Sequence, residues 1–450
     1  MRPLEALPSD LPRGDAEARL PKGFRAVGTA AGIKDSGAAD LSIVLADDGP
    51  AAVAATFTTN RLPAAPVQMD KEHLAATAPE GGGRYGWVEA MMCTSGCANA
   101  ATGAAGLADQ RSLATTLATI AGTEPERVLA MSTGLIGTRL PVERVARALS
   151  TSIPASGRDD EAFVGVAEAM RTTDSRAKKA SATVELPGPS GAPVTVTVSG
   201  VAKGVGMIHP NMATMLSLVL TDAAAQPAAL SALLRPIVAR TWNQLSVDGD
   251  QSTNDTVLLA ASGASGAVAP ESDSATMAAF GRALEAVARS LARQQAADGE
   301  GAATLLTCAV SGGADAAAAR AAARAVISSD LLKAAVHGAD PNWGRIAMAL
   351  GNAVIAPTQT LEAAGFDTVS ARERASQPVE LDPERLQIDI EGTPVFAGVP
   401  VDYDEVALSE RMRDGEVVIR VDLGVGDGTG EAFGCDLTEE YVIENSEYST

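Results

Sequence analysis

Thr214 is the residue whose setting could do chemistry. It sits in residues 203–218, KGVGMIHPNMATMLSL, where backbone punctuated by Gly204, Gly206 and Pro210 runs into a strand-like apolar segment. A threonine hydroxyl is a weak nucleophile and needs a base. If the chain breaks just before Thr214, the residue's own α-amine becomes that base. Such an amine has an ordinary pKa of about 7.7–8, so a useful fraction is neutral at pH 7. The same hydroxyl could make the break by attacking the Ala213 carbonyl in an N→O acyl shift followed by hydrolysis. A small Ala213 and nearby glycines allow the tight turn this needs. On chemistry alone the signal is weak, and an Ala-Thr pair before a strand is usually just an ordinary β-branched strand residue.

Other residues invite chemistry more weakly. His209 lies five residues before Thr214 and is one of only three histidines, with His73 and His337; an N-terminal amine already supplies the base, so His209 reads as a bystander. Cys93 and Cys97 have a CxxxC spacing, but no second pair or nearby histidine completes a zinc site. With Cys308 and Cys435 they read as small buried side chains, not a disulfide framework. The glycines of LGVGDGTG (423–430) follow a strand, but the twenty residues after them read as loop and strand, with no helix to hold a pyrophosphate. Asp248, Asp250 and Asp255 in DGDQSTND lack the spacing and final Glu of a calcium loop; they read as organisers of a loop near the active centre. None of these residues reads as a metal site.

The elements that must position Thr214 mix strands and helices without a strict alternation. Strand-like runs occupy 23–62, 88–93, 128–137, 215–221 and the region after 248, and residues 182–201 read as a hairpin. Helical patterns cover 107–121, 142–150, 161–170, 227–244, 274–297 and 316–336. Residues 362–377 read as a poorly patterned surface insert. The expected fold class is α/β in the layered α+β sense, with mixed sheets and flanking helices. No composition break marks a linker.

Composition narrows the function classes. At 450 residues with 46% hydrophobic residues the chain can bury a large core. Aromatics are only 3%, so that core must be made of Ala, Val, Leu and Ile. A net charge of −21 repels phosphate backbones and anionic membranes, which argues against nucleic acid and membrane partners. The Pro-rich, charged residues 1–20 lack the apolar core of a signal peptide and read as a flexible arm. A cytoplasmic protein is expected.

Residues 203–216 closely resemble the cleavage-site motif of the ornithine acetyltransferase family, the bifunctional glutamate N-acetyltransferases of arginine biosynthesis. PKGFRAVGTAAGIK, FTTN, STGLIG, TTD, DGDQSTND, DGEGA, GADPNWGRI and CDLTEEYVIENSEYST also resemble family motifs, in family order. The resemblance runs from about residue 20 to residue 450. Cys97 stands where this family commonly has asparagine, and residues 1–20 and 362–377 have no clear counterpart.

The resemblance implies an N-terminal-nucleophile-like fold, cut between Ala213 and Thr214 into an alpha chain (21–213) and a beta chain (214–450) that stay interlocked. It implies Thr214 as the acetyl-accepting nucleophile and Thr133 with Gly134 as the oxyanion hole. Substrate contacts map to Thr172, Lys203, Glu300, Asn445 and Thr450. Read alone, Lys203 and Glu300 would be solvated charges and STGLIG a plain strand-to-turn junction. The implied reaction transfers acetyl from N2-acetylornithine to glutamate, with no cofactor, in a heterotetramer of two alpha and two beta chains. Some family members also take acetyl-CoA as donor, and the sequence leaves that open. It also leaves open a relative in specialised metabolism, or an amidohydrolase or peptidase that passes the acyl group to water. A non-catalytic scaffold with an uncut chain is the remaining alternative.

Overall fold

The computed structural model describes residues 17–209, 215–268 and 274–447. These residues form three mixed sheets with helices packed on them.

The central sheet has six strands. In spatial order they are Tyr85–Val88, Ala51–Phe57, Thr256–Ala261, Leu216–Thr221, Pro193–Lys203 and Lys178–Pro187. Strand Leu216–Thr221 pairs in parallel with Thr256–Ala261 and antiparallel with Pro193–Lys203. Every residue of its LSLVLT run is buried, as a strand covered on both faces requires. Leu216, Leu218 and Leu220 pack with Val201, Leu258 and the helix Asp160–Met170 on one side. Val219 packs on the other against the helices Pro227–Arg240 and Ala275–Ala297. The strands on either side of residue 214 therefore share a ladder and two cores.

A four-stranded sheet, in the order Phe24–Thr29, Leu41–Ala46, Ala90–Cys97, Val128–Leu135, lies across the helix Asp160–Met170 from the central sheet. Helices Ala65–Thr77, Gly103–Ala121 and Val142–Ser152 cover its outer face. The third sheet gathers Leu245–Ser246, Gly428–Cys435, Leu305–Gly313, Glu416–Asp422, Gln387–Ile390 and Thr393–Ala397. Its core is rich in alanine from the helix Ala316–Ile327. The low aromatic content is thus met with small aliphatic side chains.

Several sequence expectations need correction. Residues 362–377 do lie at the surface, mostly exposed or half-buried, but they are not irregular: they belong to the helices Thr358–Ala363 and Thr368–Arg374, with Ala371 and the adjoining Leu361 buried. The pattern there was too short for a period to emerge. The helix expected over 316–336 is two, Ala316–Ile327 and Asp330–His337, because the Ser329 side chain caps the second. The tail after Gly430 is a strand to Cys435 and then a helix, Glu439–Glu447, not loop and strand. Gly424 and Gly426 lie in the turn between two strands of the third sheet, and Gly428 and Gly430 lie in the second of those strands. All four cysteines are free and buried, as read. Among the described residues no helix is long and apolar enough to cross a membrane.

Candidate active site

The strand Pro193–Lys203 ends where Leu216 faces it, with Lys203 and Leu216 as the terminal register pair. Leu216 is two residues after Thr214 in the chain. Thr214, Ala213 and Thr450 themselves lie outside the described residues. Two carboxylates from one loop clamp the backbone on either side of 210–214. Asp248 accepts from the Met207 and Ile208 N–H groups at 2.5 and 2.8 Å. Asp255 accepts from the Met215 N–H at 3.1 Å. DGDQSTND does organise this loop, as its residues led one to expect.

Around Lys203 a cleft is lined by Thr133, Gly134, Thr172, Glu300 and Asn445, with Thr173 and Asn254 beside them. These residues come from five separate stretches of sequence. Lys203 is buried and donates from Nζ to the Thr133 hydroxyl oxygen at 3.2 Å. Thr133 must then direct its own proton elsewhere. Gly134 follows with φ +125°, and a Cβ there would lie 2.3 Å from the Gly96 carbonyl carbon. Only glycine fits where the parallel strands Ala90–Cys97 and Val128–Leu135 close on each other. Asn254 pins this junction by donating to the carbonyls of Ala98 and Ser132 at 2.7 and 2.8 Å.

Beneath the cleft runs a buried charge network. Asp174 accepts from the N–H groups of Gly204 (2.9 Å) and Thr172 (3.0 Å) and pairs with the Lys178 ammonium. Its other oxygen lies 3.9 Å from Lys203 Nζ. Lys178 also pairs with Asp298, and Asp298 accepts from the Ser175 N–H at 3.1 Å. Burial would raise the Asp174 carboxyl, but the charges of Lys203 and Lys178 and the Gly204 N–H hold it well below the usual carboxylate range. Burial pushes the Lys203 ammonium below its ordinary range, with Asp174 opposing. A lysine amine at a cleft wall suits a carboxylate ligand.

The same cleft also carries a carboxylate, Glu300, whose N–H donates to the Val205 carbonyl at 2.8 Å. Glu300 accepts from Thr173 Oγ1 at 3.1 Å and from Asn445 Nδ2 at 3.0 Å. The helix Glu439–Glu447, which brings Asn445, lies on Gly301; a Cβ there would meet the Tyr441 nitrogen at 2.3 Å. Glu300 and Lys203 thus offer opposite charges to one small ligand.

Sequence reasoning took Thr172 from TTD and Glu300 from DGEGA but passed over Asp174 and Asp298 in those motifs. Both carboxylates were visible; what was not was that they share Lys178. His209 turns away from the cleft, with Nδ1 at 3.0 Å from Ser246 Oγ, and lines a different cavity. Cys97 Sγ lies 3.3 Å from the Thr138 carbonyl oxygen, under the Gly134 junction.

The ArgJ family model matches residues 25–450. The arginine biosynthesis bifunctional protein ArgJ of Deinococcus radiodurans is 43% identical over 96% of this chain and 98% of its own length. That of Thermus thermophilus is 44% identical over 96% and 99%. Among solved structures, the arginine biosynthesis bifunctional protein argJ of Bacillus halodurans is 35% identical, with a TM-score of 0.46 over 52% of this chain and 100% of that one.

Proposed function

Because this chain belongs to the ArgJ family, we propose that it is an arginine-biosynthetic ornithine acetyltransferase that cuts itself between Ala213 and Thr214 and works through an acetyl-Thr214 ester. The observation that carries the reading is the convergence of Thr133, Gly134, Thr172, Lys203, Glu300 and Asn445 on one cleft at the Lys203–Leu216 end of a ladder, Leu216 being two residues after Thr214 in the chain.

In the cleavage step the Thr214 hydroxyl attacks the Ala213 carbonyl, and the peptide bond gives way to an ester. Water hydrolyses the ester, leaving a carboxylate on Ala213 and an α-amine on Thr214. In the first half-reaction Thr214 Oγ attacks the acetyl carbonyl of N2-acetylornithine while its α-amine takes the hydroxyl proton. That proton passes to the departing ornithine nitrogen. In the second half the glutamate amine attacks the ester, giving N-acetylglutamate and restoring the hydroxyl. An oxyanion forms in each half. The Thr133 hydroxyl and the Gly134 N–H are assigned to it, and a preorganised donor of this kind contributes about 3–4 kcal/mol. Lys203 is assigned to the substrate α-carboxylate and Glu300 to the ornithine ammonium, with Thr172, Asn445 and Thr450 completing the contacts.

The relatives are named bifunctional, and the reading extends to acetyl-CoA as a second donor. No cofactor or metal enters. The cut chains, residues 1–213 and 214–450, stay paired because strand Pro193–Lys203 is hydrogen-bonded to Leu216–Thr221, and Ala51–Phe57 to Thr256–Ala261. Two such pairs form the heterotetramer, in the cytoplasm. The test is to incubate purified protein with N2-acetylornithine and glutamate, with and without acetyl-CoA, and identify products by mass. N-acetylglutamate and ornithine in equal amounts support the reading; free acetate without N-acetylglutamate contradicts it.

A further inference from the structure

Asp174 is 3% exposed and is bonded to two of the residues that line the Thr133–Lys203 cleft or to the backbone beside them. Its Oδ1 accepts from the Gly204 N–H, next in the chain to Lys203, at 2.9 Å and pairs with the Lys178 ammonium. Its Oδ2 accepts from the Thr172 N–H at 3.0 Å and from the Thr172 hydroxyl at 3.4 Å, and lies 3.9 Å from Lys203 Nζ. Thr172 follows the helix Asp160–Met170, whereas Lys203 ends the strand Pro193–Lys203. One buried carboxylate therefore ties together two elements that each bring a residue to the cleft.

The charges point the same way. Asp174 and Asp298 share the fully buried Lys178 ammonium. Two carboxylates on one ammonium leave a negative charge over, and Lys203 is the further cation within 4 Å of Asp174. Burial pushes the Lys203 ammonium down, and Asp174 is the strongest of the charges that oppose it. A carboxylate held by this many donors cannot turn without leaving some of them unpaired, so it is a rigid anchor.

We propose that Asp174 is a positioning residue for substrate recognition, holding the Lys203 side chain and the Thr172 segment in the arrangement that receives the α-carboxylate of the ligand. This rests on the reading above in which Lys203 takes that carboxylate.

Isothermal titration of the purified protein with ornithine and with ornithinamide, which carries a neutral carboxamide in place of the carboxylate, tests the assignment. The ratio of the two affinities reads carboxylate recognition, whereas a general distortion of the cleft weakens both ligands alike. The wild type should prefer ornithine by about tenfold or more, and Lys203→Met should bring the ratio to within about twofold of one. Asp174→Asn should weaken ornithine by about tenfold or more and leave ornithinamide within about twofold. Asp174→Ser, which leaves room for water beside Lys178, decides the matter with the same expected losses if Asp174→Asn does not fold. The wild-type ratio in a folded Asp174 variant, including an equal loss of both ligands, overturns the proposal and leaves the substrate reading standing. A wild type with no preference for ornithine, or a Lys203→Met variant that keeps the preference, overturns the substrate reading and the proposal together.

Discussion

The Lys203 ammonium donates to the Thr133 hydroxyl oxygen across 3.2 Å, joining the end of a central-sheet strand to the neighbouring sheet. That bond turns the Thr133 proton away from Lys203, so one contact couples the carboxylate role proposed for Lys203 to the oxyanion role proposed for Thr133. Thr133→Val should lower kcat by about 10²–10³-fold with KM little changed. Lys203→Met should lower kcat/KM by about 10–100-fold, the loss of one charge-assisted hydrogen bond. Because the two side chains touch, steady-state kinetics on the double variant should depart from additivity by at least about 0.5 kcal/mol. Strict additivity would show that they act independently.

Gly206 tests the role of Glu300. A Cβ there would lie 2.0 Å from Glu300 Oε2. That oxygen is the end of a flexible side chain, so Gly206→Ala should move the carboxylate without unfolding the protein. The expected result is a KM for N2-acetylornithine raised by about 10–100-fold, with the melting temperature nearly unchanged. Gly134→Ala is the contrast, since its Cβ meets backbone at φ +125°. It should cost about 3 kcal/mol or more in urea unfolding.

Asp248 and Asp255 bracket residues 210–214 by holding the Met207, Ile208 and Met215 N–H groups. Burial pushes the Asp255 carboxyl well above the usual range. Removing it leaves a buried N–H without its acceptor. Asp255→Ala should therefore lose about 1–3 kcal/mol of stability and slow self-cleavage, followed by gel densitometry during expression. Cleavage at the wild-type rate would mean the clamp plays no part.

His209 gives a signed pH prediction. Burial, with Arg324 and Lys333, lowers its folded-state pKa to about 4 from an ordinary 6.5. Between those values the unfolded chain takes up a proton that the folded chain refuses, so stability falls as pH drops through this window. From pH 8 to pH 5 the loss amounts to roughly 2 kcal/mol. His209→Gln should lack this part of the decline in urea unfolding. An unchanged profile would mean that His209 is not held neutral.

Much of this was legible in the sequence. The largely apolar run after residue 214 announced a strand, and its burial on both faces came from the structure; the motif residues Thr133, Lys203 and Glu300 do meet in one cleft. What was not legible depends on contacts between distant segments. Leu361 and Ala371 give no periodic signal in short helices, yet both are buried. Asp174 and Asp298 sit in separate motifs and become one network only through Lys178. The break between the helices Ala316–Ile327 and Asp330–His337 turns on one capping serine, Ser329, inside an alanine-rich stretch whose composition favours continuity.

The account rests on a cut before Thr214, and intact mass measured under denaturing conditions tests that most directly. An active preparation should show two chains, residues 1–213 and 214–450, while Thr214→Ala should show one inactive 45.6 kDa species. A single 45.6 kDa chain in an active wild-type preparation would contradict it.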